Sequence, residues 1–150
     1  METNIGVLNN EVNKKDVFME QKKPEFFKSV EQFEIYDCFY EERFLDITLP
    51  PMIVSTGMKE IFVPVKDVET LHKLHAKPKN IERLSEKYGV IGIHAFALDD
   101  KVDAYGRNFA PIVGIEEESA TGTSNGALAC YLNKYVSPQK ENYVLRQGYS

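Results

Sequence analysis

Glu116-Glu117-Glu118-Ser119-Ala120-Thr121-Gly122-Thr123-Ser124-Asn125-Gly126 runs directly into Ala127-Leu128-Ala129-Cys130-Tyr131-Leu132. Three carboxylates lead into a loop of small and hydroxyl-bearing residues, and that loop opens a helix predicted over residues 123–135. The helix is apolar nearly all round. Such a helix is buried on most sides, not laid on a surface. A sheet curling around one central helix satisfies it, and this decides the fold: α+β, a mixed curved sheet wrapped around a central helix. The start of the helix carries unpaired N–H groups and a partial positive charge, so it can hold an anion. Gly122 and Gly126 let a ligand come close to the backbone.

The flanking sequence supplies the strands. Residues 90–98 are apolar on both faces and read as a central strand. Asp99-Asp100-Lys101 turns the chain, and residues 102–109 read as its paired strand. Further back, residues 52–54 and 61–65 are β-rich runs separated by the turn Ser55-Thr56-Gly57. Asp67 is an N-cap for a helix with Val68, Leu71 and Leu74 on its apolar face. Pro78 starts another, with Ile81, Leu84 and Tyr88 at helical spacing and Gly89 as its stop. Ser29, with Gln32 three residues on, resembles a weak capping box for a short helix carrying Val30, Phe33, Tyr36 and Cys38. Residues 5–12 and 17–20 read as a hairpin ended by Pro24, and residues 143–147 as one more strand after Pro138.

Composition bounds the function. A chain of 150 residues with a 43% apolar and 27% charged composition can bury one ordinary core. Net charge is −5 with no basic cluster, which argues against a nucleic-acid surface. No apolar run approaches the roughly 20 residues that span a bilayer, and Met1 opens no signal-peptide pattern. Cys38 and Cys130 form no Cys-x-x-Cys pair, so the expected compartment is the cytoplasm. His72 and His75 are spaced three apart on a predicted helix, where a solvated face outweighs a metal site; no metal ligand set is expected.

Several motifs together resemble the phenazine-biosynthesis isomerase-like (PhzF-like) family. They are Tyr105-Gly106-Arg107-Asn108-Phe109-Ala110-Pro111, Gly114-Ile115, Glu117-Glu118-Ser119-Ala120-Thr121-Gly122-Thr123 and the apolar helix behind them. Val54-Ser55-Thr56-Gly57, Val63-Pro64-Val65 and Gln147-Gly148 fit as well, in the same order. The resemblance implies the diaminopimelate-epimerase fold, with two similar lobes and a site between them. It also implies a cofactor-independent isomerase or epimerase acting on a small carboxylate metabolite, and a homodimer for a complete family protein. Residues 1–24 are then expected to be the last hairpin of a first lobe, and residues 25–150 a second lobe lacking its final strands. The family's principal acid/base glutamate would fall ahead of Met1, and a Gly-Asn-Pro-type motif has no counterpart. These 150 residues alone are therefore expected to be inactive. Glu118 and Ser119 stand where many relatives carry Asp-Pro, and Thr123 where they carry Ser. Thr121 stands where true epimerases carry a catalytic cysteine, so racemisation by two thiols is not implied.

Proton transfer beside a carboxylate needs an acid/base group and a holder for the anion. Glu118 is the candidate catalytic carboxylate. Gly122, Thr123 and Ser124 offer backbone N–H groups to a substrate carboxylate. Thr121, Arg107, Ser55 and Gly57 complete the expected binding set, Arg107 as a carboxylate partner. Each has a plainer role. Ser and Thr before a helix most often serve as N-caps, a glutamate run is most often solvated, a strand arginine most often sits in a surface ion pair, and Ser55-Thr56-Gly57 suits a hairpin turn. Three readings follow: an isomerase of small carboxylates, a non-catalytic domain that still binds a carboxylate, and a domain that associates through exposed sheet edges.

Overall fold

The computed structural model describes residues 2–4, 25–55, 57–111, 115–118, 122–138 and 142–147, with backbone only for 2–4, 115–118, 122–124 and 147. The predicted hairpin over residues 5–12 and 17–20 lies outside the described residues. In chain order the elements are β1 (Glu2–Asn4), β2 (Glu25–Ser29), α1 (Gln32–Tyr36), β3 (Met52–Ser55), β4 (Lys59–Val65), α2 (Val68–Lys73) and α3 (Pro78–Tyr88). Then come β5 (Ile93–Leu98), β6 (Ala104–Ala110), β7 (Ile115–Glu118), α4 (Gly122–Tyr135) and β8 (Val144–Gln147). The described strands form one mixed sheet in the order β1-β8-β6-β5-β4-β3-β2, with β7 also paired to β6. β1, which falls in the stretch expected to belong to a first lobe, pairs with β8 in this same sheet.

β4 and β5 run parallel at the centre, and β5 pairs antiparallel with β6 along its whole length. The other edge of β6 is shared. Ala104–Gly106 hold β8 in parallel and Asn108–Ala110 hold β7 antiparallel. Alternation along each strand sends side chains to two separate cores. On one face Ile61, Val63, Val65, Ile93, Ala95, Ala97 and Phe109 pack under α1, α2 and α3. On the other, Val54, Phe62, Phe96 and Ala104 pack against Ala127, Leu128, Tyr131 and Leu132 of α4. The apolar helix is thus buried against the sheet as its composition requires.

Pro64 stands in the middle of this sheet, where a missing N–H usually costs a ladder bond. Pairing of β3 with β4 ends at Met52↔Phe62, so no strand faces β4 on that side at Pro64. Its carbonyl points to the same side and accepts from Asp46 N at 3.0 Å. The missing donor therefore has no strand acceptor to disappoint.

The helix ends follow local chemistry. Asp67 accepts from Thr70 N at 2.7 Å at the start of α2. Pro78 opens α3, and Gly89 closes it in the left-handed conformation with φ 67°. Tyr131 anchors α4: its ring meets Phe96 edge-on at 5.1 Å, and its hydroxyl donates to the Pro50 carbonyl at 2.6 Å. Tyr131→Phe keeps the ring and removes that bond, so a urea melt should show a loss of about 1 kcal/mol. An unchanged midpoint would contradict the anchoring role.

Two elements differ from expectation. Ser29 does not cap α1. It ends strand β2, Val30 N donates to the Pro51 carbonyl, and the N-cap of α1 is Glu31 without a side-chain bond. The buried residues of that helix are Glu34 and Ile35, while Phe33 is 66% exposed. Ile115–Glu118, where no strand is expected from sequence, form β7, because the outer edge of β6 beside Asn108 and Ala110 gives this backbone a partner.

Candidate active site at the start of α4

β7 and α4 are separated only by residues 119–121, so Glu118 and Gly122 are held close in sequence at one margin of the sheet. Glu118 is registered opposite Asn108, and Asn108 opposite His94, which in turn stands beside Phe62. Opposed residues share a face of the sheet. The row Phe62–His94–Asn108 therefore crosses three strands on the face that carries α4, and the backbone of Glu118 continues its register on β7.

That face is unusually polar for a core. Glu60, His94 and Asn108 are buried on it, and Asn125 is buried in the first turn of α4. Buried polar residues are the informative ones, since each costs free energy unless partnered. His94 is fully enclosed, with its ring 5.3 Å from that of Phe62. Its Nδ1 lies 3.1 Å from Asn108 Oδ1. Burial pushes the His94 imidazole down to about 4, against a smaller opposing pull from the Asn108 bond, so the ring is neutral at pH 7. With Nδ1–H donating to Asn108, Nε2 is a bare acceptor and has no partner among the described residues; Asn125 Oδ1 is in the same state. Gly106 makes room for the ring: a Cβ there would lie 2.6 Å from His94 Nε2.

Arg107 is not brought to this face. Strand alternation puts it with Tyr105 and Phe109, on the α2 side. Its Nη1 donates to the carbonyls of Leu71 at 2.8 Å and Leu74 at 2.9 Å, with His72 O at 3.5 Å. The guanidinium is 5.0 Å from the Phe109 ring centroid. It closes the C-terminal end of α2, where carbonyls are left over and a cation is favoured. Arg107 is 3% exposed and its guanidinium donates to backbone carbonyls inside the fold, which is not the surface ion pair that a strand arginine most often makes.

Ser55 and Gly57 form the turn between β3 and β4. The Ser55 hydroxyl oxygen accepts from Gly57 N at 3.0 Å, and Gly57 holds φ 143°, a conformation that favours glycine. Ser55 alternates with Val54 and so sits on the face away from α4. Thr121 and the side chains of Glu118, Thr123 and Ser124 lie outside the described residues. α4 begins at Gly122, which places the backbone N–H groups of Gly122, Thr123 and Ser124 in its first turn.

Other polar groups fall outside this constellation. His75 lies beyond the end of α2 and pairs with Glu41 at 2.7 Å, while the His72 ring meets Tyr105 edge-on at 5.7 Å. Among the described residues no group of three or more His, Cys, Asp or Glu could hold a metal ion. Burial pushes the Cys38 thiol up to about 12 and raises Cys130 as well, so neither is a thiolate near neutrality. No described helix is long and apolar enough to cross a membrane.

Sequence reading missed Glu60, His94, Asn108 and Asn125. The available signal was a polar residue at a period-2 position inside an apolar strand, as in Ile93-His94-Ala95-Phe96.

A curved mixed sheet with an apolar helix buried on one face is the architecture of a diaminopimelate-epimerase-type lobe. The chain belongs to the phenazine biosynthesis-like (PhzC/PhzF) family, whose model matches residues 1–150. An uncharacterised isomerase of Clostridium acetobutylicum is 37% identical over 97 residues, covering 63% of this chain and 32% of that protein. The uncharacterised isomerase YfhB of Bacillus subtilis is 25% identical over 99% of this chain and 54% of its own length. Among solved structures, a PhzF-family phenazine biosynthesis protein of Bacillus anthracis matches at TM-score 0.69 and 27% identity, over 80% of this chain and 42% of that one. A predicted epimerase of Pseudomonas aeruginosa shares the fold at TM-score 0.66 and 24% identity, with 80% and 42% covered. The chain thus spans between a third and about half of the length of these relatives.

Proposed function

We propose that this chain forms one wall of a cofactor-independent isomerase or epimerase that moves a proton on a small carboxylate metabolite. The single observation that supports the reading is that the backbone of Glu118, registered opposite the buried Asn108, is separated from the start of α4 only by residues 119–121. In this reading the backbone N–H groups of Gly122, Thr123 and Ser124 hold the substrate carboxylate, assisted by the helix dipole. Glu118 takes or returns the proton on the adjacent carbon. Two-thiol chemistry has no support, since Thr121 stands at the cysteine position of true epimerases and both thiols present are held protonated. The second wall would come from a further lobe, as family members build their site between two, and the complete protein would act in the cytoplasm as a homodimer.

The test uses the full chain in D2O with succinate, aspartate and malate as probes, and no added cofactor. Deuterium entering next to a carboxylate, and falling about a hundredfold or more in Glu118→Gln, would mean these residues suffice for turnover. Carboxylate binding without deuterium uptake fits one wall of the site and a carboxylate-binding domain. Neither binding nor uptake sinks the proposal.

A further inference from the structure

A cavity of about 1050 Å³ opens on the side of the sheet away from α4, and its lining includes Arg43, Lys66, Lys77, Asp37, Glu42 and Tyr40. Its inner wall, Tyr36 and Phe39, belongs to the core under α1, α2 and α3, whereas α4 packs against the opposite face. The five charges on this wall do not neutralise one another. None of their side chains is in an ion pair or a side-chain hydrogen bond among the described residues. Opposite charges that share a cavity and stay unpaired are held apart, which leaves the space between them to a third party. The wall is also built in advance. The chain over residues 39–45 is pinned at both ends, by the bridges Phe39↔Ala76 and Leu45↔Val65. Glu41 clamps it a third time, accepting from His75 N at 2.7 Å and meeting His75 Nδ1 at 2.7 Å. Phe39 and Phe44 are buried and meet edge-on at 5.2 Å. Between these anchors Arg43 holds φ 55°, and it is the one non-glycine residue with positive φ among the described residues. A bulky side chain is disfavoured there, and residues kept in such conformations collect at binding sites. Lys77 Nζ stands 4.9 Å from the Tyr40 ring centroid, a contact that directs the ammonium and leaves its N–H groups unspent. Arginine and lysine together match a phosphate. A bare anion would be repelled by Asp37 and Glu42, which call for hydroxyl donors beside it, as a carboxylate does toward a ribose hydroxyl in nucleotide sites. We propose that this cavity is a ligand site for a phosphorylated sugar, with the phosphate on Arg43, Lys66 and Lys77 and the hydroxyls on Asp37 and Glu42. The site lies across the sheet from α4 and does not depend on the function proposed there.

The test titrates the full chain with ribose 5-phosphate, with ribose and inorganic phosphate as controls. It follows the backbone amide signals of Tyr40, Glu42, Arg43, Lys66 and Lys77. Saturable shifts on these amides are expected at millimolar ribose 5-phosphate. The affinity should be about tenfold or more above that for either control, since each control lacks one set of contacts. Arg43→Gly removes the guanidinium and suits the left-handed backbone. It should fold with an unlowered melting point and lose about tenfold or more in affinity. Lys66→Gln should weaken binding in the same direction. Absence of shifts at millimolar ribose 5-phosphate would overturn the proposal. So would equal binding of inorganic phosphate, which reduces the site to a surface anion contact, or binding that Arg43→Gly and Lys66→Gln leave unchanged in folded chains.

Discussion

Arg107→Ala should be the most damaging single truncation considered for this chain, costing about 3 to 5 kcal/mol in a urea or thermal melt. The side chain is 3% exposed, and its guanidinium donates to Leu71 and Leu74 carbonyls at the end of α2. Removing it leaves buried acceptors without a donor, each worth about 1 to 3 kcal/mol, and opens a cavity beside Phe109. Arg107→Lys should recover part of the loss, because one ammonium can reach a carbonyl but cannot reproduce the planar fork. The two roles of Arg107 separate cleanly. If the side chain served only a substrate carboxylate, Arg107→Ala would melt near the wild-type midpoint; its bonds to the Leu71 and Leu74 carbonyls predict a clearly lower one.

Acidification should expose His94 as the second large effect. The imidazole falls from its usual 6.5 to about 4 in the folded chain because burial penalises the cation. Between those values the unfolded chain binds a proton that the folded chain refuses. Stability is therefore fully present above about pH 6.5, falls as pH drops through the window, and levels below about pH 4. The whole span is worth about 3 kcal/mol. Glu34, Glu41 and Asp67, whose carboxyls are held below their ordinary values, add losses at lower pH, so the diagnostic window is the upper one. His94→Gln should flatten the stability curve between pH 6.5 and 4 while leaving the lower limb. Parallel curves for the two proteins would contradict a neutral buried His94.

Much of the fold is legible because burial writes itself in apolar runs. β4, β5 and β6 read as strands from residues such as Ile61, Val63, Ile93 and Phe96, and the small-residue run of α4 reads as a buried helix. What was not legible depends on partners distant in sequence. Glu25–Ser29 has four exposed positions of five, so no periodic pattern marks it; it is a strand only because β3 offers a backbone ladder. Ile115–Glu118 has a composition that disfavours strands, overruled by the vacant half-edge of β6.

The site shows the same division. Gly122 at the start of a buried helix is visible locally, and so is Glu118 before it. The direction Arg107 takes is set by carbonyls more than 30 residues earlier in the chain, and no local pattern reports them. His94 and Asn108 are each ordinary in sequence. Their pairing needs the register of β5 against β6, and their importance needs the Gly106 gap.

In the proposed function the first turn of α4 holds a small carboxylate. The most direct measurement follows the amide N–H signals of Gly122, Thr123, Ser124 and Asn125 while succinate is added to the full chain at millimolar concentrations, with uncharged succinamide as control. Saturable shifts centred on these amides are expected with succinate and none with succinamide. Amides that stay still, or that move equally with both compounds, would contradict it.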